Sequence, residues 1–266
     1  MEMELEGWLK MYDITASIVT YNTKLSDLDR IINSFFDTNL KVKLYISDNS
    51  PKNDLRNYFK KFNKEIEYEF NNFNGGYGWG HNKVIEKIKG KSKYHIILNP
   101  DIYFENNVLE ELFEYMEKNL DVGNIMPMVK YPNGEIQYLC KRNPSPLNIF
   151  LRTFIPLKKI TKKMNYKYEM RDTEYNQIMN VEILSGCFMF LKNEVFEKIG
   201  MFDDKFFMYF EDFDFNRRIH QKYKTIFYPK VEIIHEHARE AHKNKKMLYV
   251  AFKSAIYYFN KWGWLK

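Results

Sequence analysis

Met201 to Arg217, MFDDKFFMYFEDFDFNR, sets five acidic residues (Asp203, Asp204, Glu211, Asp212 and Asp214) among six phenylalanines. Isolated carboxylates are costly in apolar surroundings, so this mixture points to a lined cleft where a carboxylate works against apolar walls. Glu211-Asp212 heads a helical pattern that carries Asp214, Arg217 and Arg218. A carboxylate there can take a proton from a hydroxyl, or it can cap the helix, since acids favour the first turn.

Four further groups have chemical potential. Asp48, one residue past an apolar run, can accept a hydrogen bond from the N3–H of a uracil or thymine ring on which Tyr21 stacks; by itself Asp48-Asn49-Ser50 is also turn chemistry. Asn72 to Asn82, NFNGGYGWGHN, has four glycines in six positions and leads into a helix. Glycines permit close backbone approach to a diphosphate or ribose, although the pattern is neither the dinucleotide fingerprint nor a P-loop. Asn99-Pro100-Asp101 ends an apolar strand, and one carboxylate at a strand tip suits a hard cation shared with phosphate oxygens. His235-Glu236-His237 places two imidazoles on the same side of a strand, a set that favours Mn²⁺ over Mg²⁺.

These groups sit on a pattern that can position them. Apolar runs at Ile14–Thr20, Val42–Ser47, Ile66–Phe70 and Tyr94–Asn99 alternate with helical spacing at Leu25–Phe36 and Gly78–Lys89. Strand–helix–strand repetition argues for an α/β fold, a mainly parallel sheet with helices on both faces. Ligands of such sheets bind beyond the carboxyl ends of the strands, and Thr20-Tyr21-Asn22, Asp48-Asn49, Asn71–Asn74 and Asn99–Asp101 all fall there. The prolines at 144, 146 and 156 suggest a long loop over 140–165. Val181–Leu191, Thr225–Tyr228 and Val231–His235 have strand character, Glu211–Lys222 is helical, and Lys243–Lys266 is an amphipathic helix ending in KWGWLK.

With 266 residues, 45% hydrophobic and 17% aromatic, the chain can bury a large core and is not disordered. We expect a catalytic domain over 1–240, with a nucleotide-binding half at about 12–102 and an acceptor half at about 103–240, then a helical extension over 241–266. The acidic N-terminus lacks the apolar core of a signal peptide. No apolar run is long enough to span a bilayer, and Cys140 and Cys187 fit reduced thiols. Together these predict a cytoplasmic protein. Net charge is +6, with lysines clustered at 158–167 and near the C-terminus. Such clusters are solvated faces or contacts to anionic lipid. Bases and acids are otherwise mixed and no nucleic-acid recognition motif appears, which excludes that class of partner.

Taken together, IVTYN (18–22), SDNS (47–50), NNFNGGYGWGHN (71–82), LNPD (98–101), SGCFMF (185–190), GMFDDKFFMYFEDFDFNRR (200–218) and HEHAR (235–239) resemble the inverting glycosyltransferases of family 2, in their bacterial rhamnosyltransferase-like branch. The resemblance implies a GT-A fold, a nucleotide-diphosphate sugar donor, Mn²⁺ or Mg²⁺, and a glycan or lipid-linked acceptor. By position it implies that Tyr21, Asn22 and Asp48 hold the nucleotide and that Asn74, Gly75, Gly76 and Asn82 line the donor. Asp101 falls on the last acid of the family's metal motif, whose first acid is Asn99 here. His235, with His237 as rival, falls on the later metal histidine. Asp212 falls on the catalytic base, beside Glu211 at the acceptor. Ala241 stands near where relatives carry a serine. The branch suggests dTDP-L-rhamnose as donor, with UDP-galactofuranose, UDP-glucose or UDP-N-acetylglucosamine as alternatives and a non-catalytic partner subunit as another class. The C-terminal aromatics Tyr257, Tyr258, Phe259, Trp262 and Trp264 fit a membrane-bound acceptor, packing on the catalytic domain, or a homodimer contact.

Overall fold

The computed structural model describes residues 11–62, 65–105, 107–147, 149, 158–236 and 245–264. One nine-stranded sheet runs through it in the order β3-β2-β1-β4-β8-β6-β9-β5, with β7 also pairing β9. The strands are β1 Tyr12–Thr20, β2 Val42–Asp48, β3 Ile66–Phe70, β4 Ser92–Leu98, β5 Ile102–Tyr103, β6 Val122–Lys130, β7 Met179–Asn180, β8 Phe188–Lys192 and β9 Lys224–His235. The helices are α1 Leu25–Phe36, α2 Arg56–Phe59, α3 Tyr77–Ile88, α4 Val108–Lys118, α5 Lys158–Tyr168, α6 Glu194–Lys198, α7 Glu211–His220 and α8 Lys245–Trp262.

β1, β2, β3, β4, β6 and β9 all point one way, and β8 runs against its neighbours β4 and β6. That reversal matters for the site. The parallel strands deliver their C-terminal ends to one edge of the sheet, and β8 delivers its N-terminal end there, with Leu98 opposite Phe188.

The alternation of buried side chains explains the layers. Ile14, Ala16 and Ile18 of β1 pack with Leu28, Ile31, Ile32 and Phe35 of α1 on one face; a fully buried side chain of this kind contributes about 1.5–3 kcal/mol. Val84, Ile85 and Ile88 of α3 pack with Ile97, Met189 and Phe215 on the other. On that second face β1 turns Thr15 and Ser17 inward, and both are fully buried. Their hydroxyls are satisfied by a polar chain: Ser92 Oγ to Thr15 Oγ1 at 2.8 Å, Thr15 to His95 Nδ1 at 2.9 Å, His95 Nε2 to Ser17 Oγ at 2.9 Å, and Ser17 to His81 Nδ1 at 2.7 Å.

Several boundaries differ from expectation. The apolar stretch Val181–Leu191 is not one strand: a turn at Gly186-Cys187 separates β8 from what precedes it. Thr225–Tyr228 and Val231–His235 are one strand, because β9 bulges at Pro229, where a missing N–H breaks the ladder and the partners of β6 jump from Tyr228 to Glu232. Of the loop expected over 140–165, the part from Lys158 onward is helical, in Lys158–Tyr168. Among the described residues the C-terminal helix runs Lys245–Trp262 and ends before Gly263, short of the expected KWGWLK end. Its Tyr258 and Phe259 are buried against Phe206, so these aromatics pack on the sheet-bearing body.

Candidate active site

Five chain segments meet at the edge defined by the strand ends. Beyond β1, Tyr21 is exposed, and the Asn22 N–H donates to Ser50 Oγ at 2.9 Å. Asp48 ends β2 and presents no exposed surface. Its carboxylate accepts from Thr20 Oγ1 (2.9 Å), the Ser50 N–H (3.0 Å) and the Tyr68 hydroxyl (2.7 Å). It therefore ties the loops after β1 and β2 together beneath Tyr21. Asn49, read from sequence as part of the polar Asp48-Asn49 pair after the second strand, continues this lacing: its amide donates to the Gly76 carbonyl at 3.0 Å and accepts from Asn71 at 2.8 Å.

The glycine-rich segment folds differently from a simple ligand cradle. Asn74 Oδ1 accepts from the Gly76 N–H, and Gly76 has φ +102°, a conformation glycine adopts freely. A Cβ on Gly76 would lie 2.0 Å from the Phe207 carbonyl oxygen, one on Gly78 2.8 Å from Phe202, and one on Gly80 2.7 Å from Val19. These three glycines serve close packing within the protein. Gly75 would meet the Trp79 ring. Asn82 likewise faces the acidic–aromatic segment: its amide donates to the Phe202 carbonyl (2.9 Å) and Asp204 (2.6 Å), and its oxygen accepts from the Phe202 N–H (3.0 Å).

Asp101 and His235 meet because β5 turns back to pair with the end of β9, Ile102 opposite His235, while the Glu236 N–H donates to the Asp101 carbonyl. Asp101 Oδ1 lies 3.3 Å from His235 Nε2, and Asn99 Nδ2 lies 3.3 Å from the same nitrogen. Gln137 fixes the ring. Its Nε2 donates to the His235 carbonyl at 2.7 Å and the Lys130 carbonyl at 3.3 Å, so its oxygen must accept from His235 Nδ1–H at 3.0 Å. Nε2 is left facing Asp101. Burial alone lowers the His235 pKa, but the Cys187 sulfur and the Asp101 carboxylate outweigh it and bring it to about 10. Glu236 points away and pairs with Arg30 of α1.

One imidazole whose Nδ1 is held by Gln137 and whose Nε2, once its proton is displaced, is free to ligate, with one part-exposed carboxylate, fits a divalent cation that takes its other ligands from phosphate and water. Among the described residues no group of three or more His, Cys, Asp or Glu converges for a metal, so the protein alone does not form a closed cage. His237 and Ala241 lie outside the described residues.

The acid pair reaches the same edge through Gly186, just before β8. Asp212, in the first turn of α7, accepts from the Gly186 N–H at 2.9 Å and from the Phe213 N–H at 2.9 Å. Burial raises its pKa. Glu211 is 6% exposed, and its Oε2 is buried with no hydrogen-bond partner. Burial, then the Asp212 charge, pushes its pKa well up, so the pair holds its charge on Asp212 and its proton on Glu211.

Tyr77, which sequence reasoning missed, joins the two sides. Its hydroxyl donates to the Gly186 carbonyl at 2.6 Å, its N–H donates to the Phe207 carbonyl at 3.0 Å, and burial, with the nearby ionisable Cys187, Glu211, Asp212 and Asp101, pushes its phenol pKa well up. Gly186 also has to be glycine, since a Cβ would lie 2.9 Å from that of Asp212.

The glycosyl transferase family 2 sequence profile matches residues 15–200. Among curated proteins, the chain is 22% identical over 200 residues to the N-acetylglucosaminyl-diphospho-decaprenol L-rhamnosyltransferase of Mycobacterium tuberculosis, covering 70% of this chain and 64% of that one. It is 26% identical over 189 residues to the rhamnosyltransferase WbbL of Escherichia coli strain K12, covering 67% of each. It is 25% identical over 219 residues to the low-salt glycan biosynthesis hexosyltransferase Agl10 of Haloferax volcanii, covering 77% of this chain and 64% of that one. The matches thus span about two thirds of the relatives' length. Among solved structures, GalNAc-T7 with UDP, GalNAc and Mn²⁺ superposes with a TM-score of 0.64 at 18% identity, covering 85% of this chain and 43% of that one. TarS 1–349 of S. aureus superposes at 0.57 and 12% identity, covering 91% and 65%. The sheet order, the matched profile and these superpositions agree: the chain has the GT-A fold and belongs to glycosyl transferase family 2.

Proposed function

We propose that this chain is an inverting glycosyltransferase that moves a sugar from a nucleotide-diphosphate donor, L-rhamnose from dTDP-L-rhamnose, onto a polysaccharide or lipid-linked glycan. One observation carries the reading. A carboxylate–imidazole pair suited to a diphosphate-bound cation (Asp101, His235) and a buried acid pair (Asp212, Glu211) face the same strand-end edge, with Tyr77 between them. The names of the rhamnosyltransferase relatives support the sugar.

In this reading Tyr21 stacks on the base over the turn that Asp48 and Asn22 hold in place, and Asn74 and Gly75 line the donor. Asp101 and His235 hold Mn²⁺ or Mg²⁺, whose chemistry there is to offset charge on the leaving diphosphate. Asp212 takes the proton of the acceptor hydroxyl. That oxygen forms its bond to the anomeric carbon on the face opposite the diphosphate, the carbon–phosphate-oxygen bond breaks with its electron pair going to the diphosphate, and the configuration inverts. Glu211, keeping its proton, adds no second negative charge beside the base.

The test is nucleotide release from a panel of dTDP-, UDP- and GDP-sugars, with and without Mn²⁺, for the native chain and Asp212→Asn. Metal-dependent dTDP release from dTDP-rhamnose supports the reading. Release from a UDP-sugar alone overturns the donor and keeps the mechanism. Neither binding nor release across the panel would point to a non-catalytic partner subunit.

A further inference from the structure

We propose that the N-terminal half of α8 is a docking surface for an anionic lipid bilayer. The helix has one apolar side that is covered over only part of its length. Towards the C-terminal end Ala255, Tyr258 and Phe259 pack on Phe206. Towards the N-terminal end Leu248, Phe252 and Ile256, at i, i+4 and i+8, are 46%, 50% and 36% exposed, with Tyr249 beside them at 68%. Leu248 and Phe252 stand seven residues before Ala255 and Phe259, two turns away on the same side, so the stripe carries the packed side past its contact and leaves apolar surface to cover.

Charge identifies the occupant. Lys245, Lys246 and Lys253 border the stripe, and no acid lies between Lys245 and Trp262. Apolar residues on one side, lysines along their edge and an aromatic at the boundary form the pattern of a helix lying in the headgroup region of a membrane. A second copy docked stripe to stripe would bring the same lysines together, which disfavours self-association.

The surface is rigidly tied to the candidate site. Lys261 pairs with Asp203 and with the fully buried Asp214 at 2.8 Å each, Trp262 Nε1 donates to Asp214 at 2.8 Å, and Asp214 shares α7 with Asp212. A bilayer seated on α8 would thus have a fixed orientation relative to the acid pair, as a lipid-linked acceptor requires. That purpose rests on the transfer reading; the docking does not, and it is measured without donor or acceptor.

The test is co-sedimentation of the whole chain with vesicles of mixed phosphatidylglycerol and phosphatidylcholine, or of phosphatidylcholine alone, at low and high salt. We expect binding to the anionic vesicles, weakened by salt, with roughly a fivefold loss for each of Lys245, Lys246 and Lys253 changed to Gln. The triple change Leu248→Ser, Phe252→Ser, Ile256→Ser is expected to lower binding more than tenfold at unchanged melting temperature. If that variant melts early, the lysine series decides. Absence of binding to the anionic vesicles, or equal binding by all variants, overturns the proposal. So does a native dimer in light scattering that the serine variant converts to monomer, which would make the stripe a self-association face.

Discussion

Tyr77 and Asp212 grip the same glycine from opposite sides: the tyrosine hydroxyl donates to the Gly186 carbonyl at 2.6 Å, and the Gly186 N–H donates to Asp212 at 2.9 Å. Asp212, the proposed base, is therefore aimed by a residue of α3. Tyr77→Phe keeps the ring and removes only the hydroxyl. We expect it to lower kcat for nucleotide-sugar turnover on the order of 10-fold to 100-fold, with a smaller change in donor KM, because misplacing a reacting group by a fraction of an ångström costs rate more than binding. Unchanged kcat would remove Tyr77 from the positioning of Asp212.

The two acids of the pair should respond unequally. Asp212→Asn removes the proton acceptor and is expected to cost about 10²–10⁴ in turnover. Glu211→Gln replaces one neutral group with another of the same shape, since the Glu211 pKa is pushed well up, and should stay within about tenfold. Because burial also raises the Asp212 pKa, activity should fall as pH drops through a value above the ordinary 3.8 of an aspartate. The acid limb of kcat/KM reads this directly, and a limb at or below the ordinary value would count against the assignment.

Gln137 holds the His235 ring in the orientation that turns Nε2 towards Asp101. Gln137→Ala should weaken Mn²⁺ binding about 10–100-fold, the usual effect of losing the partner behind a ligating histidine. Isothermal titration with Mn²⁺ and a nucleoside diphosphate measures it, and an unaltered affinity would argue that His235 does not ligate.

The buried Ser92–Thr15–His95–Ser17–His81 chain makes folding sensitive to acid. Burial lowers the His95 pKa to about 3, and burial with the nearby His95 lowers that of His81 well below its ordinary value. Both are neutral in the folded state, whereas the unfolded chain takes up protons below pH ~6.5. The sign follows: their contribution to stability is complete above that pH and declines as pH falls, by about 1.4 kcal/mol per unit for each histidine. Melting temperature should therefore drop between pH ~6.5 and ~4, and His95→Gln should flatten the slope. Parallel curves for the two proteins would refute this account.

The donor-side half was the more legible in the sequence, for a physical reason. α1 and β1 to β4 declare themselves by period, and parallel strands send the polar tails after Thr20, Asp48, Phe70 and Leu98 to one edge. The second half obeys no such rule. Gly186 matters through a turn that splits an apolar run, and Gln137 acts on His235 across 98 positions, a contact without local signature. The glycines at 76, 78 and 80 show how one composition supports two readings: the freedom that suits a phosphate also suits a neighbouring carbonyl or phenyl ring. Asn82 and Asp48 were visible as polar residues at the right edge, but their bonds turn inward to protein.

The joint between the residues before and after Tyr103 has a bearing on how such proteins diversify. Tyr77 and Asn82 reach across it mostly to main-chain atoms: the carbonyls of Gly186, Phe202 and Phe207 and the N–H of Phe202. Main-chain partners persist when side chains change. Gly186 apart, segments 185–187 and 202–207 can therefore vary in sequence, and with them the acceptor they would greet under the proposed function, while the grip on the first half survives as long as the backbone path is kept. A chimera that exchanges residues beyond Tyr103 between relatives should inherit a working joint from its backbone alone, and under the same reading lineages could trade acceptors by recombination without rebuilding the proposed nucleotide site.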